Sequence, residues 1–403
     1  MALIQKAFSD IITFSRTSNA TRIGPTGVLE YAPHNLLLQS QTFDNASWLK
    51  SNSSITANAI AAPDGTVTAD KLVEAATTSV HSATQAVTFA ANFIYTASVY
   101  AKAGERSFLI IQPTSDSRFA YYNLSNGTVG TVNGSPLSTQ IQSVGNNWYR
   151  CTITVTSPGA TAANCILYSA ATDGNATYTG DGTSGIYLWG AQLAVGPYAL
   201  DYTPTTSAAV YGPRFDFDPV TLAPKGLLVE EQRQNLVTYS EDFSNAAWTK
   251  NNCTVTANSV ASPDGTVNAD TVTSTSTTTA VELYGSATIS SGASYTLSCF
   301  VKAGTYSKAA LRCYNGGTSN TPLALFNLTT KSVIATYGNV TATSVQDYGN
   351  GWLRCIMTFT STGTNANPQI NGLADTYTID AGYNYVATLG SNGSVYAWGA
   401  QLE

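Results

Sequence analysis

Residues 35–50 read N-L-L-L-Q-S-Q-T-F-D-N-A-S-W-L-K, and residues 235–250 read N-L-V-T-Y-S-E-D-F-S-N-A-A-W-T-K. The offset is 235 − 35 = 200. It holds without a gap through Thr56-Ala57-Asn58 and Thr256-Ala257-Asn258, then through Pro63-Asp64-Gly65-Thr66-Val67 and Pro263-Asp264-Gly265-Thr266-Val267. Ala69-Asp70, Tyr95-Thr96 and Lys102-Ala103-Gly104 recur at the same spacing. The offset slips to 204 where Trp148-Tyr149-Arg150-Cys151 meets Trp352-Leu353-Arg354-Cys355. It slips again, to 209, where Trp189-Gly190-Ala191-Gln192-Leu193 meets Trp398-Gly399-Ala400-Gln401-Leu402. Both slips fall in Gly/Asn/Ser-rich stretches, where loops tolerate insertion. All six tryptophans sit at matched positions, three per copy. The chain is therefore a tandem duplication, each copy about the size of one domain.

Composition narrows the class. Only 10% of the 403 residues are charged, against roughly 25% in ordinary soluble domains. Lys and Arg number 18 and Asp and Glu 24, for a net charge of −6. A disordered chain needs high charge and few aromatics, and this one is 10% aromatic. A nucleic-acid binder needs a basic excess. Helical bundles are rich in Ala, Glu, Lys, Leu and Arg, the reverse of what is found. Thr, Val, Ile and Tyr with abundant Gly and Asn is a strand-and-turn composition. No run reaches the 18 or so apolar residues of a membrane-spanning helix, and residues 1–16 lack the apolar core of a secretory leader. Residues 2–14 read equally as a short helix or an anchoring strand.

Short alternating runs separated by Pro-Asp-Gly and Asn-Gly turns predict an all-β chain of two tandem β-sandwich (jelly-roll) domains joined by β-hairpin connectors. The expected segments are an N-terminal anchor and hairpin over 1–34, module 1 over 35–193, a linker and hairpin over 194–234, and module 2 over 235–403. Thr21–Ile23 and Val28–Glu30 flank a Gly-Pro-Thr-Gly turn, and Arg214–Phe217 and Leu227–Glu230 form a similar pair. Each hairpin is expected to seat the sandwich that follows it. Asp201–Ser207 reads as an extended linker.

Period-two alternation sorts the strands into rows. Tyr95, Ala97, Val99 and Ala101 form one core row, and Tyr295, Leu297, Cys299 and Val301 its copy. Tyr149, Cys151, Ile153 and Val155 form another, copied by Leu353, Cys355, Met357 and Phe359. Trp189 and Trp398 are assigned to core rows with Tyr187, Ala191 and Leu193, and with Tyr396, Ala400 and Leu402. Trp48 and Trp248 are expected to plug a sandwich edge. The six cysteines are too sparse for a disulfide framework and read as small buried hydrophobes.

The opposite rows carry an aromatic and a cation on two strands of each copy: Tyr100, Lys102, Trp148 and Arg150, then Phe300, Lys302, Trp352 and Arg354. A sugar ring offers a C–H face to an aromatic and hydroxyls to a donor fork. These eight residues are the predicted glycan-binding surface. The competing reading has the same face covered by a loop or a neighbouring subunit, with Lys and Arg stems packed over the tryptophans.

The set N-L-L-x-x-S-x-x-F-x-N-A-x-W, P-D-G-T, K-A-G, W-x-R and W-G-A-Q-L-E resembles the carbohydrate-binding-module-like jelly rolls common in tailed-bacteriophage virion proteins. Arg214-Phe215-Asp216-Phe217-Asp218-Pro219 with Lys225–Glu231 resembles the segment that precedes such modules in phage tail and fibre proteins, and Ser15–Arg22 is similar. The resemblance implies adhesion or decoration without catalysis. The implied protein is a tail-fibre or receptor-binding adhesin recognising host-surface glycans. Its alternatives are a head fibre or capsid decoration protein, or a non-catalytic module of a secreted polysaccharide-degrading system. It further implies exposure on the virion surface, attachment to other virion proteins through the N-terminal segment, and a homo-oligomer, trimeric by analogy. Related jelly rolls often hold a structural calcium, for which Asp242 and Glu403 of module 2 would serve; module 1 lacks both carboxylates. No other cofactor is implied.

Nothing frames a catalytic site. The only histidines, His34 and His81, do not recur in copy 2. No phosphate loop or zinc spacing appears. The adjacent carboxylates Asp216/Asp218 and Glu230/Glu231 lie in the connector, where a hairpin or salt bridges account for them.

Overall fold

Thr, Val, Ile and Tyr at alternate positions fit a pleated surface with one buried face, and the chain forms antiparallel strands throughout. The computed structural model describes residues 14, 16–90, 93–114, 116–157, 159, 161–229, 234–276, 281–314, 321–379, 385–387 and 393–403. The expected conformation of residues 2–14, their role as an anchor, and the Glu230/Glu231 pair lie essentially outside these described residues.

Module 1 is a sandwich of two six-stranded sheets. One runs Ser138–Gly145, Trp148–Thr156, Ile94–Ala103, Gly185–Val195, Ala69–Glu74, Ser53–Ile60; the other runs Thr128–Asn133, Phe119–Asn123, Phe108–Gln112, Thr161–Ala170, His81–Phe89, Leu49–Ser51. Module 2 repeats the plan. Its first sheet runs Cys253–Ala261, Val267–Ser274, Ser394–Leu402, Ser294–Ala303, Trp352–Thr360, Val340–Asp347. Its second is centred on Asn365–Leu373, Lys308–Tyr314 and Leu323–Asn327. The all-β, tandem-sandwich expectation is met.

The core rows fall where alternation puts them. Ala97, Val99, Ala101, Cys151, Ile153 and Val155 belong to the module 1 core, and Leu297, Cys299, Val301, Cys355, Met357 and Phe359 to that of module 2. All six cysteines are buried free thiols. Trp48 and Trp248, each directly before the outermost strand of its sheet (Leu49–Ser51 and Thr249–Asn251), are buried in these cores. Each packs on a phenylalanine, Phe43 at 4.9 Å and Phe243 at 4.8 Å. Their indole N–H groups donate to the Gln39 and Tyr239 carbonyls.

Trp189 and Trp398 break the alternation. Ile186 and Leu188 face the core, yet so do Ala191 and Leu193, while Tyr187 and Trp189 join a separate cluster on the other face. A β-bulge between Trp189 and Gln192 shifts the phase, with Gly190 at φ 62° and its counterpart Gly399 at φ 61°. One extra residue in a left-handed conformation flips the row. The assignment of these tryptophans to the main core row is corrected accordingly: they are buried, at 5% and 4% exposure, but against the outer face of their sheet.

The connectors also sit differently. Two compact units emerge: one holds Tyr31–Arg214 with the described residues up to Thr21, the other holds Arg22–Glu30 with Phe215–Glu403. The hairpin Arg22–Glu30 therefore belongs with the second sandwich, not the one that follows it. Ile23 and Leu29 are buried against Phe300, Trp352 and Trp398, the Ile23 amide donates to Asp216, and the Leu29 amide donates to the Pro263 carbonyl. Residues 201–207 are no free linker either, because Thr203 and Thr205 are buried against module 1.

Candidate functional site

The eight residues predicted as a glycan surface are brought onto one face in each module, but that face is covered. Trp148 is 1% exposed and Trp352 2%. Their indoles donate to the Ala61 carbonyl at 3.2 Å and the Ala261 carbonyl at 3.0 Å. In module 1 the Tyr202 ring stands 6.0 Å from Tyr100 and 4.9 Å from Trp189. Arg150 lies over Tyr100 at 5.5 Å and donates to the Leu200 carbonyl at 2.6 Å. In module 2 Phe300, 6% exposed, is sealed by Tyr348 at 4.8 Å and by Ile23 and Leu29. Arg354 lies over Phe300 at 5.6 Å and donates to Ser298 and Gln401. Lys102 and Lys302 are half-buried on the same rows. The indoles and Phe300 cannot act as sugar platforms, because a saccharide needs an open ring face. The covering segments account for the aromatic–cation pairs instead.

The calcium expectation meets a similar obstacle. The Asp242 carboxylate accepts the Ser244 hydroxyl at 2.6 Å and the Asn245 amide at 3.1 Å, closing a local turn. Glu403 accepts the Gln401 amide at 2.7 Å. Calcium takes six to eight oxygen ligands, and among the described residues no group of three or more His, Cys, Asp or Glu side chains is assembled. Asp242 and Glu403 alone do not fit that ion.

Other chemistry-bearing side chains serve structure. The His34 ring accepts the Val195 amide at 2.8 Å and faces the Ala32 carbonyl at 2.8 Å. Burial holds its pKa down at about 4, so it is neutral near pH 7. His81 bridges the Asn52 and Tyr178 carbonyls. Asp216 caps Ile23, and Asp218 accepts the amides of Val220 and Thr221 and pairs with Lys225 at 3.1 Å.

An accessible aromatic face does exist, on the other sheet of module 1. Leu109 and Ile111 point inward from Phe108–Gln112, so Phe108, Ile110 and Gln112 point outward. Ala120 and Tyr122 point inward from the next strand, so Phe119 and Tyr121 point outward. Register places Ile110 between Tyr121 and Tyr168. Ile110 and Tyr121 form a buried floor, at 2% and 3% exposure, while Phe108, Phe119 and Tyr168 remain half-buried around it. Phe119 and Tyr121 meet edge-on at 6.0 Å. The Tyr168 hydroxyl donates to the Gln112 side-chain carbonyl at 2.9 Å, and the Gln112 amide donates to the Asp116 carbonyl. At the rim Arg118 and Asp116 form an ion pair. Burial pushes the Tyr121 and Tyr168 hydroxyls up from their ordinary pKa, so both remain neutral donors.

Module 2 presents different chemistry at the matching place. Lys308, Ala310 and Arg312 replace Phe108, Ile110 and Gln112, and the floor is Leu323, Leu325 and Leu373. Arg312 is 5% exposed, pairs with Glu282 at 3.3 Å and donates to the Gln369 side-chain carbonyl at 3.2 Å. Sequence reading passed over the module 1 face because Phe108-Leu109-Ile110-Ile111 and Phe119-Ala120-Tyr121-Tyr122 are apolar on both rows. The available signal was that neither run recurs in copy 2.

No family model and no curated protein matches this chain. Among solved structures it is similar to the tandem CBM22-1–CBM22-2 domain of Xyn10C from Paenibacillus barcinonensis. That similarity has 11% identity and a TM-score of 0.28, and it covers 92% of this chain and 97% of that one. It is also similar to the M60 catalytic domain with CBM51-1 and CBM51-2 of ZmpB from Clostridium perfringens. There the identity is 9% and the TM-score 0.21, covering 97% of this chain and 42% of that one. At such scores neither likeness bears on function.

Proposed function

We propose that this protein is a non-catalytic carbohydrate-binding protein whose first module holds a saccharide against Phe108, Phe119 and Tyr168. The observation that carries this reading is the ring trio around a buried Ile110–Tyr121 floor, beside the Gln112–Tyr168 hydrogen bond. Sugar C–H faces pack on such rings, and the amide and hydroxyl supply oriented polar contacts. The low charge suits a neutral hydroxyl-rich partner. Module 2, with Lys308 and Arg312 at the matching positions, favours an acidic saccharide or contributes no sugar contact. Screening the full chain on immobilised oligosaccharides tests this: binding should be lost in Phe119→Ala and retained in Trp148→Phe.

The setting we propose is the surface of a tailed-phage particle, as a tail-fibre adhesin or a head-fibre or decoration protein. It is supported by the motif resemblance, which also supports an oligomeric, trimeric assembly. Imaging particles labelled with an antibody to this chain distinguishes tail from head. Absence from particles, with retention on insoluble polysaccharide, would favour a secreted polysaccharide-degrading system.

A further inference from the structure

One outer-face row crosses the whole aromatic sheet of module 1. It runs Asn133, Phe119, Gln112, Ile166, Thr84, Leu49, with one residue from each of the six strands. Asn133 is opposite Phe119, Ile166 lies between Gln112 and Thr84, and Leu49 is opposite Thr84. Gln112 and Phe119 are the next pair after Ile111 and Ala120. Polar and apolar side chains alternate along the row, and none is charged. Phe119, Gln112, Ile166 and Thr84 are half-buried, Asn133 is exposed, and Leu49 is 69% exposed. Asn164 and Ala86, the next opposed pair on this face, are exposed as well, so the row is open along that side.

Neighbouring strands lie about 4.8 Å apart, so the row extends for about 24 Å and its apolar members return about every 9.6 Å. In an extended β-1,4-linked chain each pyranose ring advances by nearly one strand spacing and alternate rings are turned over. What such a chain shows to the sheet therefore repeats every second ring, as the row repeats every second strand. Rings laid one per strand set C–H surface on Phe119, Ile166 and Leu49, and hydroxyls beside Asn133, Gln112 and Thr84. Adjacent strands are rotated by roughly 20–25°, so the row winds. A single chain can follow it, and the flat face of a crystalline polysaccharide cannot. The matching row of module 2 is Tyr337, Leu323, Arg312, Gln369, Tyr284, Thr249. Its centre is closed, with Leu323, Arg312 and Gln369 at 0%, 5% and 4% exposure.

We infer that module 1 binds a single extended chain of a neutral, β-1,4-linked polysaccharide laid across its strands, with Ile166 and Leu49 as its far contacts. The inference rests on the saccharide reading and extends it. Phe119 and Gln112 belong to both, whereas Ile166, Thr84 and Leu49 continue the surface to the far edge of the sheet. A disaccharide fills only the Phe119 end. Reaching Leu49 takes about as many rings as there are strands, so affinity grows with chain length until the row is filled.

The test is calorimetric titration of the full chain with β-1,4-linked glucose, mannose and N-acetylglucosamine oligomers, each series running from disaccharide to hexasaccharide. Affinity for at least one series should climb with length. Leu49→Ala removes an exposed side chain, so the fold is kept, checked by an unchanged circular dichroism spectrum. It should lower the hexasaccharide affinity about tenfold and flatten the climb. Thr249→Ala, at the exposed matching position of module 2, should change neither. Phe119-dependent binding that is no tighter for the hexasaccharide than for the disaccharide overturns the extended chain and leaves the saccharide reading standing. So does hexasaccharide binding insensitive to Leu49→Ala, or retention on crystalline cellulose without binding to the soluble oligomers. No binding in any of the three series overturns the inference. The saccharide reading falls with it only if immobilised oligosaccharides also show no Phe119-dependent binding.

Discussion

The Asp70 carboxylate accepts the Phe43 amide at 2.8 Å and, through its other oxygen, the Asn58 amide at 2.9 Å; Asp270 repeats both bonds with Phe243 and Asn258 at the same distances. Asp70 and Asp270 are 2% and 1% exposed. Each therefore ties one loop, at Phe43 or Phe243, and the bulge of one edge strand, at Asn58 or Asn258, to the strand that carries it. Asp70→Ala or Asp270→Ala leaves the buried Phe43 or Phe243 amide unpaired, at about 1–3 kcal/mol. Denaturant titration should show a lowered midpoint for the module that carries the change.

Glu74 and Arg106 form a second link, at 2.6 and 2.7 Å, in which the Glu74 side chain is fully enclosed and the Arg106 side chain is 24% exposed. Module 2 has Ser274 and Tyr306 at these positions. Burial alone would raise the Glu74 carboxyl, but the Arg106 fork, the Asp181 amide and Tyr178 bring it below the ordinary carboxylate range. A depressed acid stabilises the folded state above its unfolded pKa and loses that contribution as pH falls through the folded value. Module 1 should thus lose more stability than module 2 as pH falls below the ordinary glutamate range, read as a shift of one of two calorimetric transitions. Arg106→Met, which strands the carboxylate, should cost about 3–5 kcal/mol in the same module.

The outer-face tryptophans are structural. Trp148→Ala and Trp352→Ala should each destabilise their module by about 3–5 kcal/mol. The check is thermal unfolding alongside a binding assay at a temperature where the variant remains folded. A specific loss of ligand affinity with unchanged stability would contradict their burial.

Much of this architecture is legible in the residues. The core rows through Val99, Cys151, Cys299 and Cys355 follow from period two, and the tandem plan follows from the repeat. Trp189 and Trp398 escape the same rule because a glycine bulge shifts the phase, and alternation cannot count an inserted residue. The covering of Tyr100 and Phe300 is likewise invisible, since Tyr202 and Ile23 reach them only through tertiary packing. Asp201–Ser207 has a linker's composition and yet buries Thr203 and Thr205, because its groups match donors already fixed on the sheet. The aromatic face around Ile110 was hidden by strands apolar on both sides.

The six thiols offer a direct check on the cores. Burial pushes Cys253 up to about 11 and Cys165, Cys299 and Cys313 to about 12. A thiol in such surroundings is un-ionised and inert near neutrality. Ellman's reagent should find no reactive thiol in the native chain and six after denaturation without reductant.

Sugar binding is proposed for the face of Phe108, Phe119 and Tyr168. The most direct measurement is calorimetric titration of the full chain with its strongest array ligand, comparing Phe119→Ala with Tyr337→Ala on the matching face of module 2. Phe119→Ala should weaken binding of a neutral oligosaccharide at least tenfold, about 1.4 kcal/mol, and Tyr337→Ala should leave it unchanged. Equal affinity for the wild type and Phe119→Ala would contradict it.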